Sequence, residues 1–329
     1  MQYRLSRVLV LLAALLMASC AEEMTTEDYL ASAETLSRSG DHNAALIELK
    51  NAARAEPFNM EVRRAMAYAY LELGFGADAE KEARRAQEMG MSDGEAALVL
   101  ARALMLQAKY EEVLEGPDEF DVQPEPAAQS EIMAWRGIAL MELGEFELAA
   151  GALGTAVDLD AESALALAAM GSMHARLGNL DEARKWADEA LQADPESSQA
   201  LALLGDLLFA EDDLEGARKA YTQSIQAYGY PTLVNARRAM TSLRLDDLRS
   251  ANTDIATLRR AGFGNQVYVL EVQGIMLYKR GDYPAAEAAL SKGIEAVPSN
   301  IPMRIYLAMS LLAQERYVQA ELVLNQLYA

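Results

Sequence analysis

The side chains that could carry out chemistry are few and are spread along the 329 residues of the chain. The two histidines, His42 and His174, lack the HExxH motif and any other paired-ligand spacing of a metal site. The acidic pairs at residues 212–213 and 246–247 fall at turns between helices, so we interpret them as turn and cap residues rather than as a general acid and base. The sequence therefore predicts no catalytic residue, no metal and no cofactor, and it predicts that His174 is a half-buried packing residue.

The one cysteine, Cys20, follows a short targeting segment. Two arginines precede the apolar run 8–17, which is too short to span a membrane as a mature helix. Residues 1–19 are predicted to be a lipoprotein signal peptide, because the sequence LMASC at 16–20 resembles the lipobox of bacterial lipoproteins. The resemblance implies that Cys20 is lipidated. The alternative is an ordinary secretory signal with a chance cysteine.

Acylation of Cys20 would account for a single thiol in an oxidising compartment, where it has no partner for an intramolecular disulfide. A diacylglycerol with an additional amide-linked chain binds a membrane stably, unlike one acyl chain alone. Ala21 follows the cysteine where an aspartate could stand, and by resemblance to Gram-negative sorting signals this implies an outer-membrane lipoprotein facing the periplasm. Residues 20–25 are then the lipidated linker.

The chain is strongly acidic, with a formal net charge of −21 that becomes −23 once the two leader arginines are removed. Nucleic acids select basic surfaces, so we expect no nucleic-acid partner. The same charge opposes direct binding to an acidic polysaccharide or an anionic membrane face. The expected partner is neutral, basic or a protein.

The rest of the chain is organised by a repeat of 34 to 36 residues, which is clearest in residues 164–197. In this unit Gly171 allows another helix to approach the first helix closely, Gly178 forms the turn and Pro195 ends the unit. Aligned starts lie at Thr26, Met60, Gly94, Ser130, Ala164, Ser198, Thr232, Val267 and Ile301. The pattern resembles the tetratricopeptide repeat, which implies an all-α, right-handed superhelical solenoid of about nine helix-turn-helix units.

The residues with structural roles recur at fixed places in the units. We assign helix crossings to Gly137, Gly171, Gly205 and Gly274, turns to Gly178 and Gly281, and unit ends to Pro57, Pro195 and Pro298. Residues 26–116 form units one to three, residues 117–129 a loop rich in proline and acids, and residues 130–329 units four to nine. The loop is interpreted either as a tolerated surface insertion or as a hinge or docking loop.

The concave wall is expected to be lined by positions two, five, nine and twelve of each first helix. These positions are of mixed character and hydrated in the first units, and they become apolar from unit four. The predicted partner-binding residues are Ile138, Met141, Phe209, Met240, Leu243, Tyr268, Ile275, Tyr278, Ile305, Met309 and Leu312. Such a stripe suits a peptide or an amphipathic helix. The alternative is that some of these side chains pack against neighbouring helices.

Runs 44–90, 100–116 and 267–321 resemble the tetratricopeptide-repeat lipoproteins of exosortase/PEP-CTERM systems, which are found beside exopolysaccharide loci. The resemblance implies a scaffold for exopolysaccharide export or surface-protein sorting. Alternatives are an assembly or pilotin-type lipoprotein for outer-membrane proteins or secretins, and a direct glycan-binding module. The last unit, with no polar capping helix after it, also suggests self-association through its exposed face.

Overall fold

A computed structural model describes residues 24–116, 125–228 and 233–326 of the protein. The helices are α1 Thr26–Arg38, α2 His42–Ala55, α3 Met60–Glu72, α4 Gly76–Glu88, α5 Asp93–Leu106, α6 Tyr110–Leu114, α7 Pro126–Leu143, α8 Phe146–Leu159, α9 Ala164–Arg176, α10 Leu180–Ala193, α11 Ser198–Ala210, α12 Leu214–Tyr228, α13 Leu233–Arg244, α14 Leu248–Arg260, α15 Val267–Lys279, α16 Tyr283–Ala296, α17 Ile301–Ala313 and α18 Tyr317–Asn325. A short 3-10 helix, Phe263–Asn265, precedes α15. In the described ranges the structure contains no strand, so the predicted all-α class is confirmed.

The described helices form nine antiparallel hairpins, each with an odd-numbered first helix and an even-numbered second helix. Six of the nine first helices begin at the predicted residue. The main difference is in unit four, where α7 begins at Pro126 and not at Ser130. Proline is favoured in the first turn of a helix, because its missing N–H has no partner there and its φ is already helical. Residues 126–129 therefore belong to α7 and not to the predicted loop, whose residues 117–124 lie outside the described ranges.

The hairpins stack into a curved solenoid. The first helices of neighbouring units contact one another all along the stack, whereas neighbouring second helices have at most marginal contact among the described elements. A stack whose first helices are closer together than its second helices curves toward the first helices. The first helices therefore form the inner wall, and the second helices form the outer surface.

The four crossing glycines lie where the helices approach most closely. A Cβ atom built on Gly137 or Gly274 would lie 2.5 Å from the side chain of Leu153 or Leu290, respectively. A Cβ on Gly171 would lie 2.5 Å from Leu203 Cδ2. These distances are well below van der Waals contact, so a larger side chain at these positions would push the helices apart.

Glycine or aspartate forms most of the turns inside the hairpins, and Ala108 and Glu315 form the other two. Gly178 and Gly281 have φ angles of +82° and +79°, in the left-handed region that glycine adopts without steric cost. Asp212 and Asp246 occupy the equivalent turns with φ angles of +66° and +57°. Their side chains pair with cations on the next unit: Asp212 with Arg244 at 2.6 Å, and Asp246 with Lys279. The acid at the turn thus replaces glycine and links two units.

The second acid of each pair caps the following helix. Asp213 accepts a hydrogen bond from the Gly216 amide at 2.9 Å, and Asp247 accepts one from the Ser250 amide at 3.0 Å. The interpretation of the acidic pairs as turn and cap residues is confirmed. The predicted unit-end prolines, Pro57, Pro195 and Pro298, are exposed in the loops before α3, α11 and α17.

The carboxylate of Glu80, in unit two, accepts hydrogen bonds from two side chains of unit three. Gln107 Nε2 donates to Glu80 at 2.9 Å, and Lys109 Nζ donates to it at 3.0 Å. Arg84 Nε, on the same helix as Glu80, donates at 3.0 Å. Burial alone would raise the pKa of Glu80, but these hydrogen bonds outweigh it and lower the pKa to about 2.

We expect Glu80→Gln to lower the free energy of unfolding by about 1–2 kcal/mol at neutral pH, because charge-assisted hydrogen bonds are lost. Because the pKa is depressed in the folded state, the stabilisation is fully present above the ordinary value of 4.5 and is lost as the pH falls through about 2. Urea unfolding of wild type and variant across this range measures the difference. A difference that stays constant from neutral pH down to about 2 would contradict this role of Glu80.

Candidate partner-binding groove

Most of the predicted groove residues keep part of their surface open on the inner wall. Ile305 and Leu312, both on α17, are 41% and 44% exposed. The half-buried members are Ile138, Phe209, Met240, Tyr268, Tyr278 and Met309. The apolar inner surface accessible to a ligand is therefore concentrated on the first helices of the last four units.

Three predicted groove residues are core residues instead. Met141, Leu243 and Ile275 are only 4%, 1% and 3% exposed. Met141 packs in the cluster that joins α7 and α8 to α9, while Leu243 and Ile275 pack in the cluster that joins α13, α14 and α15. The first helix of the next unit covers these positions because the solenoid curves tightly. The prediction that these three residues line the groove is wrong, and the packing alternative holds for them.

A cluster of tyrosines stands at the C-terminal end of the wall. The ring of Tyr278 lies 5.7 Å from that of Tyr283 and 5.5 Å from that of Tyr306, in tilted and T-shaped geometries. Such aromatic pairs are favourable beyond their buried area. Tyr306 lies at position six of its helix and was not predicted, although an aromatic residue one place from a wall position was a usable signal. Rings held by one another give a ligand a preorganised apolar surface.

Arg244 covers the apolar wall at unit six. Its guanidinium lies 4.8 Å from the centre of the Phe209 ring and also pairs with Asp212. A cation at this distance from a ring is attracted by the π electrons. Phe209 is therefore covered by Arg244 on one side, and Tyr268, Tyr278, Ile305, Met309 and Leu312 form the more open apolar surface.

The N-terminal part of the wall is of mixed character, as the sequence predicted, with apolar residues such as Leu30 and Leu49 beside the charged ones. A cleft of about 690 Å³ is lined by residues of the first three units, among them Glu34, His42, Glu61, Arg64, Tyr68 and Glu95. Tyr68 Oη donates a hydrogen bond to Glu95 at 3.3 Å, and Arg64 pairs with the same carboxylate at 3.5 Å. Burial, and then the charge of Glu95, raises the pKa of Tyr68 to about 12. The hydroxyl thus stays protonated and donates its hydrogen bond at neutral pH.

The middle of the wall holds an acidic cleft of about 430 Å³ that was not predicted. Its charged lining consists of Glu72, Glu131, Asp160, Glu162, Asp194, Glu196 and Arg102. Burial raises the pKa of Glu131, and the charge of Asp160 acts in the same direction. Arg102 pairs with Glu72 at 3.1 Å. Several of these acids come from loops between units, which an analysis of the first helices alone does not consider.

The side chains that could bind a metal do not come together into a site in the described residues. Within residues 24–116, 125–228 and 233–326, no group of three or more His, Cys, Asp and Glu side chains could hold a metal ion. His174 is half-buried on α9, as predicted, and its Nδ1 is buried without a hydrogen-bond partner. Over the same residues, no helix combines the length and apolarity needed to cross a bilayer. Cys20 lies outside the described residues, so its lipidation stays a prediction.

The outer face of α18 is apolar and open. Val318 and Leu322 are 80% and 63% exposed. Self-association through this face stays a prediction.

Comparison with known proteins supports the architecture. A family model described as "Tetratricopeptide repeat" matches residues 136–198, 188–230, 237–301 and 272–329, together more than half of the chain. No curated protein sequence matches the chain.

Solved structures share the fold at low sequence identity. One is a chain of the APC/C hetero-tetramer Cut9-Hcn1, with a TM-score of 0.56 and 15% identity over 87% of this chain. The match spans 58% of that longer chain. Another is PilF of Pseudomonas aeruginosa, with a TM-score of 0.50 and 21% identity, covering 62% of this chain and 94% of that one. At these identities the likeness is one of fold.

Proposed function

Because the chain belongs to the tetratricopeptide repeat family, we propose that it is a non-catalytic scaffold, anchored through acylated Cys20 to the outer membrane, whose groove holds a protein partner in the periplasm. Arrays of this family are protein–protein interaction scaffolds. Beyond the family, we propose the membrane to which the chain is anchored, the compartment that it faces and the part of the groove that binds the partner.

One observation carries the groove assignment: an apolar surface with packed aromatic rings stands open on the inner wall. Tyr278 and its neighbouring rings give a rigid apolar platform, and Ile305 and Leu312 remain over 40% exposed. An accessible apolar stripe on a concave wall is the usual binding site of an amphipathic helix or an extended peptide. The partner segment we propose presents apolar side chains to units eight and nine.

The pathway we propose is exopolysaccharide export or the sorting of PEP-CTERM surface proteins. It rests on the resemblance of runs 44–90, 100–116 and 267–321 to lipoproteins of such systems. The acidic cleft in the middle of the inner wall opposes direct capture of an acidic polymer, which favours a protein partner over a polysaccharide.

The anchor has a direct test. We expect Cys20→Ala to move the protein from the membrane fraction to the soluble fraction, because the acylated thiol is its attachment. Ser19→Ala is the matched control, since it keeps a small residue before the cysteine and should remain in the membrane fraction. Fractionation and mass spectrometry of the N-terminal peptide measure both. A Cys20→Ala protein that stays with the membrane would contradict the anchor.

Deletion of the gene separates the proposed pathway from its alternatives. We expect loss of surface polysaccharide or of sorted surface proteins, with normal levels of outer-membrane barrels. Loss of a barrel or a secretin would instead support the assembly or pilotin-type function. Binding of purified protein to a polysaccharide without any protein partner would support the glycan-binding module.

A further inference from the structure

Phe58, in the loop between α2 and α3, is the most exposed large apolar side chain among the described residues, at 85%. Isolated exposed apolar residues are ordinary on protein surfaces. Phe58 differs because its loop is held by hydrogen bonds, because the residue after the proline is polar in the two other proline-containing loops, and because the first helix begins at the same edge of the solenoid.

The loop is held by hydrogen bonds on both sides of Phe58. Arg63 donates to the carbonyl oxygen of Pro57 from Nη2 at 2.8 Å and from Nε at 3.1 Å. The same guanidinium pairs with Glu82 at 2.9 Å, in a site where both side chains are mostly buried. Asn59 donates to Glu56 at 2.8 Å and accepts from the Val62 amide at 3.2 Å. The exposure of the ring is therefore fixed by the loop.

The fold does not require an aromatic residue at this place. The loop between α16 and α17 has the same construction, since Arg304 Nε donates to the Pro298 carbonyl at 2.8 Å and Asn300 accepts from the Met303 amide at 2.9 Å. The residue after the proline is Phe58 in the first loop and Ser299 in the second, and Glu196 follows Pro195 in the same way. A polar residue thus suffices for the geometry, and the phenylalanine is left without a packing role.

The position of Phe58 relative to the N-terminus indicates what could cover it. Helices α1 and α2 form an antiparallel hairpin, so the start of α1 at Thr26 and the end of α2 at Ala55, three residues before Phe58, lie at the same edge of the solenoid. Met24, which is 44% exposed, lies two residues before Thr26. Only three residues, 21–23, lie between Cys20 and Met24, and the four steps from Cys20 to Met24 span at most about 14 Å. An acyl anchor on Cys20 would hold this edge of the solenoid close to the lipid surface.

We propose that Phe58 inserts into the lipid surface to which Cys20 is anchored and so fixes the orientation of the solenoid on the membrane. This inference rests on the proposed acylation of Cys20. The surface is an electrically neutral one, because Glu56 and Glu61 flank the ring and the whole chain is acidic. A second contact beside the anchor turns a pivoting tether into a fixed attachment.

The single cysteine allows a test that does not depend on natural acylation. The mature chain is coupled through the Cys20 thiol to a maleimide lipid in phosphatidylcholine vesicles, with Phe58→Trp as the reporter. Ser299→Trp, in the equivalent loop of unit eight, is the matched control, and wild type gives the baseline of the two native tryptophans. We expect quenching by brominated phosphatidylcholine to be at least about twofold greater at position 58 than at position 299, with blue-shifted emission.

Equal quenching at the two positions would overturn the inference, and so would full solvent exposure of the reporter at position 58. Amide exchange of residues 56–60 in the coupled wild-type chain gives an independent measurement, which should slow on coupling only if the loop meets lipid. Mass spectrometry of the native N-terminal peptide reports separately on the acyl anchor. Failure of the contact and failure of the proposed function therefore give different results.

Discussion

Gly205→Ala is expected to lower the free energy of unfolding by about 1–3 kcal/mol, the usual cost of overpacking a core. A Cβ atom at this position would lie 2.4 Å from Cε1 and 2.5 Å from Cδ1 of Tyr221. The ring cannot turn aside cheaply, because Tyr221 is only 2% exposed and its hydroxyl donates to Asp206 at 2.7 Å. The substitution therefore forces α11 and α12 apart.

The damage should extend beyond one hairpin, because each unit of a solenoid is stabilised by its neighbours. Asp206 also pairs with Arg237 of the next unit at 2.7 Å, so displacement of Tyr221 disturbs the contact between units six and seven. Urea unfolding followed by circular dichroism measures the loss of stability.

Gly151→Ala is the matched control for this substitution. Gly151 lies in the middle of α8, and a Cβ atom there would meet nothing within 4 Å. Because alanine is the better helix former, we expect this variant to be more stable than wild type by about 0.5–1 kcal/mol. Equal effects of the two substitutions would show that helix propensity, and not the close crossing at Gly205, determines the outcome.

Ile305→Glu combined with Leu312→Glu is expected to weaken partner binding by at least about 30-fold, the equivalent of about 2 kcal/mol for an interface hot spot. Both side chains are on α17 and are exposed enough to accept a carboxylate without unfolding the protein. A charge placed on this apolar surface must be desolvated when an apolar side chain of the partner covers it. The measurement is the amount of partner retained from solubilised envelopes by immobilised wild type and variant.

Leu148→Glu is the control for added charge. Leu148 is 61% exposed on α8, a second helix on the outer surface, so this variant should retain the partner. Thermal unfolding of all three proteins should show similar midpoints. A double variant that folds normally and retains the partner as wild type does would remove the binding role from units eight and nine.

The repeat architecture could be predicted because its determinants are local. Glycine at a turn follows from backbone sterics, and glycine at a crossing follows mostly from packing inside one hairpin, as with Leu153 at Gly137 and Leu290 at Gly274. Both recur every 34 to 36 residues. The start of α7 at Pro126 was missed because proline was interpreted only as a breaker, although it is favoured in the first turn of a helix.

The groove was harder to predict because exposure on the inner wall depends on curvature. Met141, Leu243 and Ile275 occupy the same helical positions as exposed wall residues, yet the next first helix covers them. Sequence periodicity identifies the inward face of a helix, but it does not give the distance to the neighbouring unit.

Gly76 shows the same limit among the glycines. It begins α4, and a Cβ atom there would lie 2.6 Å from the carbonyl oxygen of Ala103 on α5. This close approach is between two units and involves backbone, so no pattern within one repeat signals it. No sequence pattern distinguishes Gly76 from ordinary turn residues.

Site-specific photo-crosslinking in living cells is the sharpest test of a partner-binding groove at the C-terminal end of the solenoid. A photoreactive phenylalanine analogue replaces Leu312 on the inner wall of unit nine, or Leu148 on the outer surface as the control. If the groove binds a protein partner, a discrete protein adduct forms at position 312 and is absent at position 148. Adducts of equal yield at both positions, or none at position 312 when the protein is folded and present, would contradict a partner-binding groove at this end of the solenoid.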